Sequence, residues 1–168
     1  MSNSNSLSHE IASSHSFRVA VVTISDTRTP ETDDSGRALM ELVDEMNWEI
    51  SESFIVRDER ELIAEMLRAL VERGNSDLIL TTGGTGFSKR DVTPEATRDV
   101  IEREAPGLAE AMRFQTAERT QFSMLSRGVA GIKGDVLIIN LPGSTNGVRD
   151  CFSVIAPVLG HALEILKK

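Results

Sequence analysis

The chain has 168 residues, 40% of them hydrophobic, and a formal net charge of −8 at pH 7. That length suits one domain able to hold a core of Ile, Leu, Val and Ala without covalent staples, and the acidic balance argues against nucleic acid or an anionic membrane as partner. A phosphate ligand would have to be held by backbone dipoles, a few arginines or a divalent cation. Cys151 is the one cysteine, so no intramolecular disulfide forms and a reducing, cytoplasmic setting is expected. It falls within an apolar helical pattern and reads as a buried structural residue. His9, His15 and His161 are too scattered for a zinc site, and no stretch reaches the roughly 18 apolar residues of a membrane span. Met1 to Ser16, rich in Ser, Asn and His, reads as a disordered tail before a single domain over 17–168.

Arg18 to Ser25 is the first predicted strand, with four consecutive apolar residues from Val19 that suit the centre of a sheet. Asp26 to Ser35 is a polar loop, longer than a crossover needs. Leu39, Leu42, Val43 and Met46 recur with helical period and predict a helix over Gly36 to Met46. Trp48 to Val56 alternates as a strand does. Glu59 to Arg73 is a second helix, carried by Leu62, Ile63, Met66, Leu67 and Leu70 and stopped at Gly74-Asn75. Leu78 to Thr82 is a short apolar strand. Pro94 to Glu104 reads as a helix, broken at Ala105-Pro106-Gly107 and resumed over Leu108 to Ala117. Arg127 to Ile132 and Asp135 to Asn140 flank Lys133-Gly134 as an antiparallel hairpin. The last helix, capped by Ser144 or Thr145, carries Phe152, Ile155, Leu159, Leu163 and Leu166 on one stripe, and Pro157 should kink or restart it.

Strands alternating with helices predict an α/β fold of three layers, α/β/α, around a mainly parallel, mixed sheet. In such sheets ligands bind beyond the carboxyl ends of the strands. Those ends are Ser25-Asp26, Val56-Arg57-Asp58, Thr82 to Gly86 and Asn140 to Ser144. The third is the most informative. Gly83, Gly84 and Gly86 remove side chains that would keep a ligand from the backbone. Their N–H groups, with the hydroxyls of Thr82 and Thr85, can converge on phosphate without a lysine. Thr93 and Pro94 then suit a helix start. Asp58 and Asp91 can face one pocket, where a hard cation such as Mg²⁺ would reconcile them with phosphate; Asp58 also stands where a cap for the next helix would stand. Arg90 can clamp a phosphate or pair with Asp91 or Glu95, and Ser144 can cap a helix or touch a phosphate. Neither a GxxxxGK[ST] loop nor a GxGxxG fingerprint after the first strand is present.

The blocks TTGGTGFSKRDVTPEA (81–96), EREAPG (102–107), MLSRGVAGI (124–132) and LIINLPGS (137–144) resemble the Mog/MoaB family of molybdenum cofactor biosynthesis, and are similar to the gephyrin G domain. The likeness runs from about Arg18 to Leu166. It implies a molybdopterin-binding fold, a homo-oligomer that is commonly a trimer and in some members a hexamer, and Mg-ATP-dependent adenylylation of molybdopterin with release of pyrophosphate. A molybdate-inserting partner protein is implied downstream; a non-catalytic molybdopterin-binding or carrier protein of the MoaB type is the alternative. Matched by position, Asp58 and Asp91 are the essential carboxylates and candidate Mg²⁺ ligands. Gly83 to Gly86 form the phosphate-receiving loop, with Thr82 and Arg90 beside it. Ser25, Asp26, Asp34, Ser35 and Gly36 match the first polar loop, and Pro142, Gly143 and Ser144 a second binding loop. Arg57 departs from the Pro more often found before Asp-Glu in the Mog-type pattern, while Asp58-Glu59 and Arg90-Asp91 are kept.

Overall fold

Val19, Val21, Leu78, Leu80, Leu137 and Ile139 point to one side of a sheet, and Ala20, Val22, Ile79 and Ile138 to the other; all are buried. Strands that bury both faces need helices on both, and the computed structural model, which describes residues 16–168, supplies them. The strands are β1 (Arg18–Ile24), β2 (Glu49–Val56), β3 (Leu78–Thr82), β4 (Arg103–Glu104), β5 (Ala130–Lys133) and β6 (Val136–Leu141). The helices are α1 (Asp34–Glu45), α2 (Arg60–Arg73), α3 (Thr93–Arg98), α4 (Pro106–Thr116) and α5 (Thr145–Leu166). Helices α1, α4 and α5 cover the first face with residues such as Leu39, Met112 and Phe152, and α2 and α3 cover the second with Ile63, Leu67 and Ala96. The expected three-layer α/β/α architecture is therefore present.

The sheet order is β2-β1-β3-β6-β5-β4. The pairs β1/β2, β1/β3 and β3/β6 are parallel, and β5 runs antiparallel to both neighbours. The chain leaves β1 to one side for β2, then crosses back to the other side for β3. The loops leaving β1 and β3 diverge, which opens a crevice at their carboxyl ends.

Several elements differ from the sequence expectation for identifiable reasons. Helix α3 stops at Arg98 rather than Glu104, because the following backbone is drawn onto the sheet: Glu102 N donates to Ile132 O at 2.8 Å and Ala105 N to Ala130 O at 2.9 Å. That pairing makes β4, and Pro106 begins α4 instead of breaking a helix. The hairpin turn is Gly134-Asp135, since Lys133 pairs with Val136; Lys133 belongs to β5, which begins at Ala130. Helix α5 runs through Pro157 without a restart. Pro157 and Ser153, whose carbonyl loses its helical donor, are both exposed, so water serves that carbonyl. Helix α1 begins earlier than expected, with Asp33 as N-cap accepting from Gly36 N at 2.9 Å. The expected stop at Gly74 holds, in the left-handed region at φ 67. Residues 1–15 of the expected tail lie outside the described residues, among which no helix is long and apolar enough to cross a membrane.

At the opposite edge from the crevice, Asp77 ties the first and last parts of the domain together. Its carboxylate accepts from Arg18 N at 2.8 Å and Arg18 Nη2 at 3.0 Å, and pairs with Lys167 Nζ at 3.2 Å beyond α5. Burial pushes this carboxyl up, but the bonds from Arg18 and Lys167 outweigh it and hold it below the ordinary 3.8. A carboxyl lowered by folding stabilises the native state above its unfolded value, and that contribution is lost as pH falls through the folded value. Asp77→Asn is expected to cost about 1–3 kcal/mol near neutral pH. The gap to wild type should begin closing near pH 3.8, as read from urea unfolding midpoints over a pH series.

Candidate functional site

The chain leaves β3 through two glycines with positive φ, 100 at Gly83 and 66 at Gly84. Both are also places where a side chain does not fit. A Cβ on Gly83 would lie 2.4 Å from Ile24 O, and one on Gly84 would lie 2.3 Å from Thr93 Oγ1. Thr93 does not cap the next helix as its position predicts; Val92 is the N-cap and makes no side-chain cap bond. Thr93 Oγ1 instead donates to Gly83 O at 2.9 Å, and Thr93 N to Gly84 O at 3.1 Å, fastening the glycine turn to α3. With the turn fixed, the N–H groups of Gly84, Thr85 and Gly86 find no acceptor among the described residues. Adjacent unpaired N–H groups in such a turn form a concavity for an anion.

The loop after β6 packs directly on this turn. Thr82 Oγ1 donates to Pro142 O at 2.7 Å, Gly83 N to Leu141 O at 3.2 Å, and a Cβ on Gly143 would lie 3.2 Å from Gly83 Cα. Ser144 is the N-cap of α5, accepting from Gly147 N at 3.1 Å.

Two carboxylates lie against the glycine loop. Asp58 Oδ1 stands 3.2 Å from where a Cβ of Gly84 would be, and Asp91 Oδ2 stands 3.0 Å from the same point on Gly86. Asp91 Oδ2 also accepts from Ser88 N at 2.8 Å. Asp58 does not cap α2, whose N-cap is Glu59. Burial raises the Asp58 carboxyl, and the neighbouring Asp26 and Asp91 raise it further. Crowded carboxylates beside unpaired N–H groups are a donor set that suits a hard divalent cation bridging to phosphate oxygens. Among the described residues no group of three or more His, Cys, Asp or Glu could hold a metal alone, so a cation here would complete its shell with ligand and water oxygens.

Arg90 pairs with neither Asp91 nor Glu95, the two partners its neighbourhood in sequence offers. Its guanidinium forks onto Asp26, with Nε to Oδ2 at 2.9 Å and Nη2 to Oδ1 at 3.0 Å. The Arg90 bond holds the Asp26 carboxyl low, and Asp26 also accepts from Asp58 N at 3.2 Å. Ser25 Oγ accepts from Arg28 N at 3.1 Å, and Arg28 reaches across the crevice to Gly143 O at 2.8 Å while also bonding Ser35 Oγ. Ser35 is buried, and Gly36 sits where a Cβ would lie 2.2 Å from Asp33 Oδ2. Asp34 is exposed and pairs with Arg37 at 3.1 Å; none of its bonds reaches the glycine loop. Ser25, Asp26, Asp58, Asp91, Arg90 and both glycine loops are thus brought together, Ser35 and Gly36 support them from beneath, and Asp34 stands apart.

Beside the loops lies a cavity of about 670 Å³, lined by Gly84 to Gly86, Asp91 and Pro142 to Ser144 on one side. Met112, Arg113, Phe122 and Leu125 of α4 and a 3₁₀ turn over Gln121–Leu125 line the other. Cys151 also reaches this cavity and is half-buried; burial pushes its thiol up to about 11, which leaves it protonated and unreactive at neutral pH. Sequence reasoning missed Arg28, Arg113 and Arg127, which hold the loops, and named Asn140 only as the first residue of a strand end suited to a site. Asn140 Nδ2 bonds Thr81 and Thr97, and Arg113 bonds Gly128 O at 2.9 Å. A buried polar Asn inside the apolar β6 segment was the one signal available.

The family described as "Probable molybdopterin binding domain" matches residues 20–161. The chain is 44% identical over 155 residues to the molybdenum cofactor synthesis protein cinnamon of Drosophila melanogaster, a match covering 90% of this chain and 26% of that protein. It is 38% identical over 134 residues to a molybdopterin adenylyltransferase of Helicobacter pylori, covering 79% of this chain and 76% of that one. Its structure is similar to the crystal structure of the molybdopterin biosynthesis enzyme MoaB of Thermus thermophilus at a TM-score of 0.83 and 44% identity, covering 89% of this chain and 96% of that one. With a family match across most of its length, over the same strands and loops that build the glycine crevice, the chain belongs to the molybdopterin-binding domain family of molybdenum cofactor biosynthesis proteins.

Proposed function

We propose that this protein is a molybdopterin adenylyltransferase. The terminal phosphate of molybdopterin attacks the α-phosphorus of ATP; the new P–O bond forms as the bond to the β-phosphate oxygen breaks, and pyrophosphate leaves. The observation that carries this reading is the row of unpaired N–H groups at Gly84, Thr85 and Gly86, flanked by Asp58 and Asp91. The likeness to the Helicobacter pylori adenylyltransferase supports it.

The glycine-loop N–H groups bind phosphate oxygens and are already aimed before substrate arrives, a contribution of about 3 kcal/mol for a well-placed donor in the transition state. Asp58 and Asp91 would hold Mg²⁺, which when bound offsets the gathered phosphate charge and helps pyrophosphate leave. Arg90, presented at the rim by Asp26, can meet a phosphate as it enters. No general base is required, because a phosphate nucleophile is ionised at neutral pH. The cavity, with Met112, Phe122 and Leu125 on its far wall, suits a flat ring bearing few charges. A homo-oligomer, as a trimer or a hexamer, belongs to this reading.

Purified protein with molybdopterin, ATP and Mg²⁺ is expected to release pyrophosphate and form the adenylylated pterin. Tight pterin binding with neither product would establish the carrier alternative instead. Asp91→Asn should lower kcat by on the order of 10²-fold or more while leaving the pterin Kd nearly unchanged; weakened pterin binding with kcat intact would contradict the role given to Asp91. Gly84→Ala should lose about 1–3 kcal/mol of stability from its positive φ and most of its turnover, as compared by thermal melts and pyrophosphate release. A wild-type melting temperature with full turnover would show that the turn does not need its glycine.

A further inference from the structure

We infer that Arg127 is the positioning residue that fixes Asp91 against the glycine loop, an inference that rests on the catalytic reading of Asp91 above. Five bonds converge on this one residue, the longest from Nη2 to Glu95 Oε2 at 3.5 Å. Its backbone N donates to Thr85 O at 2.8 Å, its Nε to Gly86 O at 2.8 Å and its Nη2 to Asp91 O at 2.8 Å. Its Nη1 is bonded to the Glu95 carboxylate on the first turn of α3. One planar guanidinium therefore holds both ends of the 86–91 loop and the helix that follows.

Besides the two bonds from Thr93 to the carbonyls of Gly83 and Gly84, little else does so. Phe87, Ser88, Lys89 and Arg90 are exposed. The loop's internal bonds, Ser88 N to Asp91 Oδ2 and Asp91 N to Ser88 O, shape it without attaching it to the domain. The Arg90–Asp26 pair is exposed to solvent on the Arg90 side, where a bound anion competes for it. Arg127 is by contrast built on a fixed base. The next residue, Gly128, is buried, and Val129 is tied to Asn140 of β6 by Val129 N to Asn140 Oδ1 at 3.1 Å and Asn140 N to Val129 O at 2.9 Å. The sheet thus reaches Asp91 through Arg127. Two carbonyls and a carboxylate around one head group need the rigid fork of guanidinium; a lysine ammonium on a flexible stem cannot span them together.

The test compares Arg127→Met, Arg127→Lys and Glu95→Gln with wild type by amide hydrogen exchange on the ligand-free protein and by kinetics. Both Arg127 variants are expected to exchange faster at residues 86–91 than wild type, with the rest of the sheet unchanged. Each should lose about 10- to 100-fold in kcat and require about tenfold more Mg²⁺ for half-maximal rate, with the pterin Kd unaltered. Glu95→Gln keeps the carbonyl bonds and should lose less. Should Arg127→Met fail to fold, Arg127→Lys decides alone. Wild-type exchange at 86–91 in the folded Arg127 variants overturns the inference. A wild-type protein that releases no pyrophosphate sinks the catalytic reading instead, while the exchange data still judge the staple.

Discussion

The site depends on backbone touching backbone where β3 and β6 end side by side. Parallel neighbours deliver their following loops to the same place, and those loops can share it only without side chains. Gly143 lies close enough that a Cβ would stand 3.2 Å from Gly83 Cα, and Gly83 itself leaves only 2.4 Å between such a Cβ and Ile24 O. Three strand ends, of β1, β3 and β6, are thereby drawn into contact. Thr93 holds the carbonyls of Gly83 and Gly84, while the N–H groups that follow in the turn are left unpaired. The unpaired N–H groups of the loop are a by-product of how tightly it is fastened.

Around that contact the arginines act mostly as structural struts. Arg28 joins the first polar loop to Gly143, Arg113 holds the carbonyl of Gly128, and Arg127 holds Gly86 and Asp91. Each binds carbonyl oxygens with part of its fork, which an aliphatic ammonium does poorly. Asp58 is the crowded carboxylate in this scheme: burial and the neighbouring Asp26 and Asp91 push its carboxyl up, against the opposing pull of a backbone bond from Asp26 and of Arg90. An arrangement that crowds carboxylates while committing its cations elsewhere gains by binding a cation of higher charge.

The legible part of this fold was the part governed by local rules. Leu78 to Thr82 read as a buried strand because its apolar run is short and ends in glycine. Gly74 read as a helix stop because a left-handed residue is needed there, and Ser144 or Thr145 read as the cap of the last helix, a role the structure gives to Ser144, whose Oγ accepts from Gly147 N. What escaped was set by partners distant in sequence. Helix α3 was cut short by hydrogen bonds from Glu102 and Ala105 to a strand about 30 residues later, and no feature of Pro94 to Glu104 itself announces that competition. Arg90 found Asp26 at a separation of 64 residues although acidic neighbours stood one and five positions away. Thr93 looked like a cap by position, where its Oγ would accept from its own helix's N–H groups, but the hydroxyl instead donates to the carbonyl of Gly83 behind it. Asp58 and Asp91 were found from their places after a strand and after the glycine loop, the resemblance matched them by position, and only the coordinates set one against Gly84 and the other against Gly86.

An acidic protein that handles phosphates poses an electrostatic question that the geometry resolves. At a net charge of −8 the long-range field repels an approaching polyphosphate, and that repulsion weakens with salt over about 8–10 Å. The glycine-loop N–H groups act at contact distance, where fixed dipoles in a partly enclosed cleft are screened much less. Attraction to the site and repulsion by the surface are therefore separable by range. The surface term favours ligands whose charge arrives already offset by a divalent cation, and the crowded carboxylates at Asp58 and Asp91 favour the same form. In the proposed reading both the distant and the local electrostatics favour a metal-complexed phosphate over a bare one, with no lysine between Gly83 and Gly86.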